Sequence, residues 1–314
     1  MRVFHKLEDV APGFGPTYLS VGNFDGVHRA HLHVLHEIVR RARGNGCHSM
    51  AVTFEPHPVR ILRPDAGPKL ITPTPEKLRL LDASGLDAVL LLPFTRDLSL
   101  MPPHEFAEVI LKQHLNAREV HEGYNFHFGH KAAGNVDMLA EFGSEMGFTV
   151  ERYPEMRLRG ESVSSSQIRK LLCEGRVSRA RHLLGRPFAI LSTPGRGRGY
   201  GSKYTVPTIN LSRYDECVPQ DGVYITRTRV AEECFDSVTN VGNRPTFGAD
   251  SFAIETHLLN FHPIELRPDT DVELHFLQRL RDEIKFPSVE ALREQIACDV
   301  KTARRYFHLL TLNA

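Results

Sequence analysis

Residues 21–36 read VGNFDGVHRAHLHVLH. An apolar run ends at a glycine, a short loop follows, and four histidines then fall within nine positions as an apolar helical pattern begins. Strand, glycine, loop and helix in that order form a geometry in which backbone N–H groups at the helix start face an anion. His28 and His31, three apart, share one side of the first turn, whereas His33 and His36 lie on a different part of the helix. Two imidazoles so placed can hydrogen-bond phosphate oxygens and stabilise the charge that builds during phosphoryl or nucleotidyl transfer. The competing readings are a zinc site, which needs converging ligands, and a partly exposed helix that is simply rich in histidine.

Outward from that stretch, the first half of the chain alternates short apolar runs with helical patterns. TYLSVG (17–22), HSMAVTF (48–54), DAVLLLPF (87–94), AREVHEGY (117–124) and FTVERY (148–153) read as strands. Between them, HLHVLHEIVRRAR (31–43), PEKLRLLDASG (75–85), PHEFAEVILKQHL (103–115) and VDMLAEFGSEMG (136–147) read as helices. Connections of that length cross over between parallel strands, so the alternation predicts a doubly wound α/β sheet. VSSSQIRKLLCEGRVSRARHLLG (163–185) is helical, and past Gly185 the pattern changes to short β-rich runs broken by Gly, Pro and Asp. FAILST, GVYITRTRV, SVTNVG, FAIETHLLNF and DVELHFLQRL are spaced as in an antiparallel barrel or sandwich. Ser288 precedes one closing helical pattern. Two domains follow, 1–184 and 185–314.

Composition bounds the function classes. A net charge of +1 carries no general invitation to nucleic acid or to an anionic membrane, so any anion site must be local. No run approaches the roughly 18 apolar residues of a membrane span, and the N-terminus lacks a signal-peptide core. Cys47, Cys173, Cys217, Cys234 and Cys298 are scattered without a CxxC pair and read as free thiols of a reducing, cytoplasmic compartment. RGRGYGSKY (196–204) taken alone is compatible with single-stranded RNA, but it is one short patch in a near-neutral chain.

Eight stretches carry a resemblance, in order along the chain: GNFDGVHRAH, FEPHP (54–58), EGYNFHFGHKAAGN (122–135), VSSSQIR (163–169), VPTINL (206–211), NVGNRPTF (240–247), ETHLLNF (255–261) and the closing LRDEIKFPSVEALREQIACD. Together they resemble the bifunctional riboflavin kinase/FAD synthetases of bacteria. The resemblance implies a Rossmann-like nucleotidyltransferase domain followed by an antiparallel β-barrel riboflavin kinase domain with a C-terminal helix. It implies a cytoplasmic enzyme that makes FMN from riboflavin and ATP, then FAD from FMN and ATP with release of pyrophosphate, using Mg²⁺ at both sites. Its partners are then riboflavin, FMN and ATP, without nucleic acid or membrane.

The same resemblance assigns residues. His28 and His31 take the phosphates, with Gly22, Phe24 and Asp25 shaping the turn and nucleotide pocket beside them and Asn125 also on the nucleotide side. Ser164, Ser165 and Ser166, which read on their own as the cap of a helix starting near Gln167, become a phosphate loop with Arg169 as charge partner. In the second domain Gly197 and Gly201 align with glycines of a phosphate cradle, with Lys203 as a nearby cation. Thr208 and Asn210 help to hold Mg²⁺, and Glu255 is the general base for the riboflavin 5′-hydroxyl. Arg281 matches an arginine near the flavin; a surface ion pair with Asp282 or Glu283 is its competing reading.

Departures from the family pattern concentrate in the first domain. Ala30 replaces a glycine between the histidines, Asn125 and His127 stand where Asp and Arg are usual, and Ala132 and Gln167 occupy positions where Arg is common. In the second domain Ser192 and Thr205 replace glycines. Thr208, Asn210 and Glu255 are all present. The departures set up a rival function, a riboflavin kinase whose nucleotidyltransferase domain is impaired or repurposed. A regulator that binds ligand without turnover is a rival of another class.

Overall fold

The computed structural model describes residues 1–11, 13–195, 208–243, 252–262 and 266–312. The chain divides into two compact units, Met1–Ser165 and Ser166–Ala314, each with its own six-stranded sheet.

The first sheet is wholly parallel. Its strands are β1 (Arg2–Phe4), β2 (Thr17–Val21), β3 (His48–Glu55), β4 (Ala88–Pro93), β5 (Ala117–Gly123) and β6 (Thr149–Tyr153), in the order β1-β4-β3-β2-β5-β6. Five of the six follow the apolar runs read from sequence; β1 is only three residues long and has no pattern to betray it. Alternate residues feed two cores, as a sheet covered on both faces requires. Leu19, Val21, Met50, Val52, Leu90 and Leu92 pack on one face with Ile110 and with Leu139 of α3 (Val136–Met146). Tyr18, Ala51 and Val89 pack on the other with Leu35, Ile38, Val39 and Ala42 of α1 (Arg29–Gly44) and Leu81 of α2 (Thr74–Ala83).

The chain winds from β2 through β3 to β4 on one side, then returns to the far side of β2 to form β5. That reversal is a topological switch point, where α/β sheets open a crevice at the carboxyl ends of their strands. The opening is visible in the register: β2 and β5 pair only as far as Leu19 and Val120, while β2 stays bonded to β3 through Gly22 N–H to Val52 O at 2.9 Å. Beyond the split, the Val21 amide donates to Glu122 Oε1 at 2.6 Å. Glu122 is buried, and burial pushes its carboxyl well above the ordinary range, against the pull of hydrogen bonds from Val21 and Ser20.

The second sheet is antiparallel: β7 (Phe188–Ser192), β8 (Thr208–Asn210), β9 (Gly222–Val230), β10 (Glu233–Asn243), β11 (Phe252–Leu258) and β12 (Val272–Arg281), ordered β7-β12-β9-β10-β11-β8. Its two edges meet. Ser212 N–H donates to Thr193 O and Gly195 N–H to Asn210 O, at 2.9 and 2.8 Å, around a bridge between Pro194 and Leu211. Those bonds close the sheet into the expected barrel. A Cβ on Gly195 would lie 2.7 Å from Leu211 O, so the seam needs a glycine.

Inside the barrel five hydroxyls form a closed ring across three strands. Thr226 bonds Ser237 at 2.8 Å, Ser237 bonds Thr228 at 2.8 Å, Thr228 bonds Thr256 at 3.1 Å, Thr256 bonds Thr239 at 2.9 Å and Thr239 bonds Thr226 at 2.7 Å. All five residues are fully buried. A hydroxyl donates once and accepts readily, so a ring satisfies every member without water.

Three helices belong to this part of the chain. α4 (Ser165–Cys173) starts two residues earlier than the predicted Gln167, so Ser165 and Ser166 lie in its first turn instead of ahead of it. α5 (Val177–Leu184) is tied to β12 by Ser178 Oγ donating to Leu277 O at 3.1 Å. The closing helix α6 (Val289–Leu312) is capped by Ser288 and packs Ala303 and Phe307 against Val223, Ile225, Val238 and Leu277. Among the described residues no helix is long and apolar enough to cross a membrane.

Two candidate active sites

The first site grows from the end of β2. To reach α1, the loop of residues 22–28 passes through positive φ at Phe24 (45°), Gly26 (86°) and Val27 (36°). Such a backbone is costly for Phe and more so for a β-branched Val, and it persists only where the surroundings impose it. Here they do: Phe24, Asp25, Val27 and His28 are all buried. Both Asp25 oxygens are engaged, Oδ1 by Thr72 N–H at 3.0 Å and Oδ2 by Ile71 N–H at 3.1 Å, while its carbonyl accepts from Ser165 Oγ at 2.8 Å. Asp25 therefore clamps the loop from within, consistent with a residue that shapes the turn.

His28 is the N-cap of α1, and its Nδ1 accepts the His31 amide at 3.3 Å. An accepting Nδ1 places the imidazole proton of the neutral ring on Nε2. The His28 and His31 rings stack 3.6 Å apart and 14° from parallel, and Phe24 meets His31 edge-on at 5.2 Å. The two histidines thus form one rigid unit at a helix N-terminus. His33 and His36 are exposed elsewhere on the helix, His33 lying edge-on to Tyr153. Among the described residues no group of three or more His, Cys, Asp or Glu converges as a metal site.

The remaining expected residues of this part fall as follows. Ala30 sits in the first turn of α1, where alanine has ordinary helical angles. Asn125 and His127 are exposed in the turn after β5, with His127 Nδ1 bonded to the Asn125 carbonyl at 2.9 Å. Ala132 follows Lys131 in a left-handed turn, at φ 58° and 54°. Phe126 and Phe128 stack on one another as part of a hydrophobic core. Ser164 is half-buried just before α4, and Ser165, Ser166, Gln167 and Arg169 follow along that helix.

Sequence reasoning missed one charged residue here. Lys77 of α2 is 6% exposed, and its ammonium donates to Thr53 Oγ1 at 3.2 Å and to the Asn23 carbonyl at 3.4 Å, directly under the loop. In sequence it is one more polar residue in a helical pattern.

The second site is set by register. Asn210 of β8 stands opposite Glu255 of β11, and Glu255 opposite Asn240 of β10, so the three lie in one row across three strands. Directly opposed residues share a face. Thr208, two residues before Asn210, falls on that face opposite His257. Ile209, Thr256 and Thr239 take the other face, toward the core and the hydroxyl ring. The barrel thereby brings Thr208 and Asn210 together with Glu255, which is distant from them in sequence. Asn240 was not singled out, although it opens the NVGNRPTF motif; its Nδ2 donates to Glu283 Oε1 at 3.3 Å. Gly197, Gly201 and Lys203 lie outside the described residues, as does Thr205.

Arg281 is ion-paired, but with neither neighbouring carboxylate suggested by sequence, meeting Asp282 only at its backbone carbonyl at 2.9 Å. Its guanidinium grips Asp299 of α6 through Nε at 3.2 and 3.1 Å and through a terminal nitrogen at 2.8 Å, and it lies over the Phe286 ring. The pair is largely buried and forked, the strong form of a charge-assisted contact.

A stacked histidine pair capping a helix beside the switch point of a parallel sheet, joined in one chain to a closed barrel with a Thr-Asn-Glu face, fits a transferase of phosphorus-containing groups. A family model described as FAD synthetase matches residues 13–167, and one described as riboflavin kinase matches residues 184–307. The bifunctional riboflavin kinase/FMN adenylyltransferase of Pseudomonas fluorescens is 34% identical over 305 residues, covering 97% of each chain. That of Escherichia coli (strain K12) is 32% identical over 310 residues, covering 98% of each. The chain belongs to the bifunctional riboflavin kinase/FMN adenylyltransferase family, and both activities are its own. A crystal structure of a macrolide-efflux protein from Streptococcus pneumoniae superposes with a TM-score of 0.86 at 24% identity, covering 96% of this chain and 98% of that one. That likeness concerns the fold alone.

Proposed function

We propose that residues 1–184 transfer the adenylyl group of ATP to FMN and that residues 185–314 phosphorylate riboflavin, by the residue roles set out below. The observation that carries the reading is the presence in one chain of a stacked, capped His28–His31 unit and a barrel row that aligns Asn210, Glu255 and Asn240.

In adenylyl transfer an FMN phosphate oxygen attacks the α-phosphorus of ATP and pyrophosphate leaves. The protein's task is to hold the two in line and offset their charge. His28, with Nδ1 spent on the helix cap, offers Nε2–H to a phosphate oxygen, and His31 is held beside it by stacking. Gly22, Phe24 and Asp25 keep the loop in place, and Asn125 lies at the rim on the nucleotide side. Ser164 and Ser166 supply hydroxyls at the start of α4, Ser165 steadies the loop through the Asp25 carbonyl, and Arg169 follows one turn on as a cation.

In the kinase reaction the riboflavin 5′-hydroxyl attacks the γ-phosphorus and ADP leaves. Glu255 accepts the hydroxyl proton. Thr208 and Asn210 present a hydroxyl and an amide carbonyl on the same face, hard oxygen donors that fit Mg²⁺ shared with ATP phosphates. When bound there, the ion neutralises phosphate charge. By the family resemblance, Gly197 and Gly201 are assigned to the phosphate cradle and Lys203 to a cation for the same phosphates. Arg281 serves the flavin end by fixing Phe286 and α6 through Asp299. We assign the enzyme to the cytoplasm, where free thiols stay reduced.

The test is chromatographic. Purified protein is incubated with ATP, Mg²⁺ and either riboflavin or FMN, and FMN and FAD are followed over time. FAD in both tubes is the expected result; FMN without FAD would leave a kinase beside a silent nucleotidyltransferase domain.

A further inference from the structure

We propose that Lys77 is a positioning residue of the adenylyl-transfer site: a buried standing cation beneath the Gly22–His28 loop, against which the di- and triphosphate groups bound above the loop are held.

Burying an ammonium is expensive unless an opposite charge accompanies it. Lys77 is nine-tenths buried, yet both its hydrogen bonds end on neutral oxygens, the Asn23 carbonyl and the Thr53 hydroxyl. The two carboxylates whose charge reaches it are committed to other donors. Asp25 spends its oxygens on the Ile71 and Thr72 amides, and Glu55 accepts the Thr74 hydroxyl. Glu76, the residue before it, is paired with Arg79. Burial pulls the ammonium below the usual lysine range, with Glu55 and Asp25 opposing the shift. The protein thus keeps a buried ammonium, hydrogen-bonded only to neutral oxygens and lying in the field of two carboxylates whose own hydrogen bonds go elsewhere, under the loop that ends in the His28–His31 helix start.

An anionic ligand above that loop gains a further charge attraction from this ammonium, which the low polarity of a buried site leaves weakly screened. Through the Asn23 carbonyl, Lys77 also holds the loop residue that precedes the strained Phe24. The inference rests on the adenylyl-transfer reading of this site.

The test uses inorganic pyrophosphate, the product that only adenylyl transfer releases, titrated calorimetrically into wild type, K77M and K77R. FAD formation from FMN and riboflavin kinase activity are measured on the same preparations. We expect pyrophosphate to bind K77M at least tenfold more weakly than wild type and K77R close to wild type. The KM for ATP in FAD formation should rise in K77M with a smaller change in kcat, and kinase activity should be unchanged. In wild type, pyrophosphate affinity should fall at alkaline pH more steeply than in K77R, because arginine keeps its charge; this comparison decides the matter if K77M does not fold. Equal affinity in K77M and wild type, or one pH dependence shared by wild type and K77R, would overturn the inference. If wild type makes no FAD while its pyrophosphate affinity still depends on Lys77, the adenylyl-transfer reading fails and the cation site stands.

Discussion

Glu122 Oε1 accepts the Val21 amide at 2.6 Å across the gap where β2 and β5 part company. A backbone donor that would otherwise be orphaned at the mouth of the crevice is met by a side chain, and the strand end that launches the histidine loop is held in place. The arrangement favours a protonated carboxyl, because burial penalises the charge.

From this follows a dependence of stability on pH. Glu122 has a raised folded-state pKa, so above about 4.5, its ordinary value, the unfolded chain releases a proton that the native chain retains. Stability contributed by this group is therefore full at low pH and declines as pH rises toward the folded value. E122Q keeps an acceptor for Val21 and removes the titration. Unfolding by urea at pH 5 and pH 8 should show a smaller loss across that interval in E122Q than in wild type. An identical loss would place the carboxyl outside the titrating groups.

The two sites should fail separately. E255Q should lose FMN formation by a factor of about 10² or more, the usual scale for removing a general base, and still make FAD from supplied FMN. H28A should lose FAD formation by about 10² to 10³ and still make FMN. Both product profiles are read from one chromatogram, and loss of both activities in either folded variant would undo the assignment of separate sites.

The hydroxyl ring predicts a difference between two nearly isosteric substitutions. T256V leaves Thr228 and Thr239 each short of a partner in a dry interior, a penalty of about 1–3 kcal/mol. T256S retains the hydroxyl and should recover most of that loss. Because Thr256 adjoins Glu255 and opposes Ile209 and Thr239, T256V should also lower the kinase kcat while leaving FAD formation intact. Equal stability of T256V and T256S would show that the ring contributes no net hydrogen-bond energy.

At the other end of the pH scale, Glu273 accepts from His275 and is also bonded by Arg229 Nε at 2.8 Å. The His275 hydrogen bond, helped by Arg229, brings its carboxyl down to about 2 from the usual 4.5. A depressed carboxylate contributes stability that is present above 4.5 and lost as pH falls through about 2. E273Q should melt below wild type at pH 7, and the gap should close as the pH approaches 2.

Much of this was legible before any coordinates. Strand runs such as GVYITRTRV and AREVHEGY coincide with β9 and β5, because alternation and β-branched residues report local burial directly. The histidine helix was legible because strand, glycine, loop and cap are contiguous. What stayed hidden depends on contacts between distant segments. Glu122 and Lys77 are charged residues whose burial comes from neighbours some 50 to 100 positions away. Asn240 joins Glu255 only through strand register, and Arg281 finds Asp299 only because α6 packs where it does. The early start of α4 was missed because a serine run reads equally well as a cap or as a first turn.

The seam between Thr193–Gly195 and Asn210–Ser212 has a consequence beyond shape. An open β-sheet exposes a row of unused amides and carbonyls on which a second chain can continue the ladder, the first step of aggregation. By bonding its first strand to its short second one, the barrel leaves no such rim at that join. The parallel sheet guards its margins differently: one edge strand, Arg2–Phe4, is too short to template another, and the other carries Glu151 and Arg152. Both halves of the chain are thereby discouraged from polymerising through strand-to-strand growth.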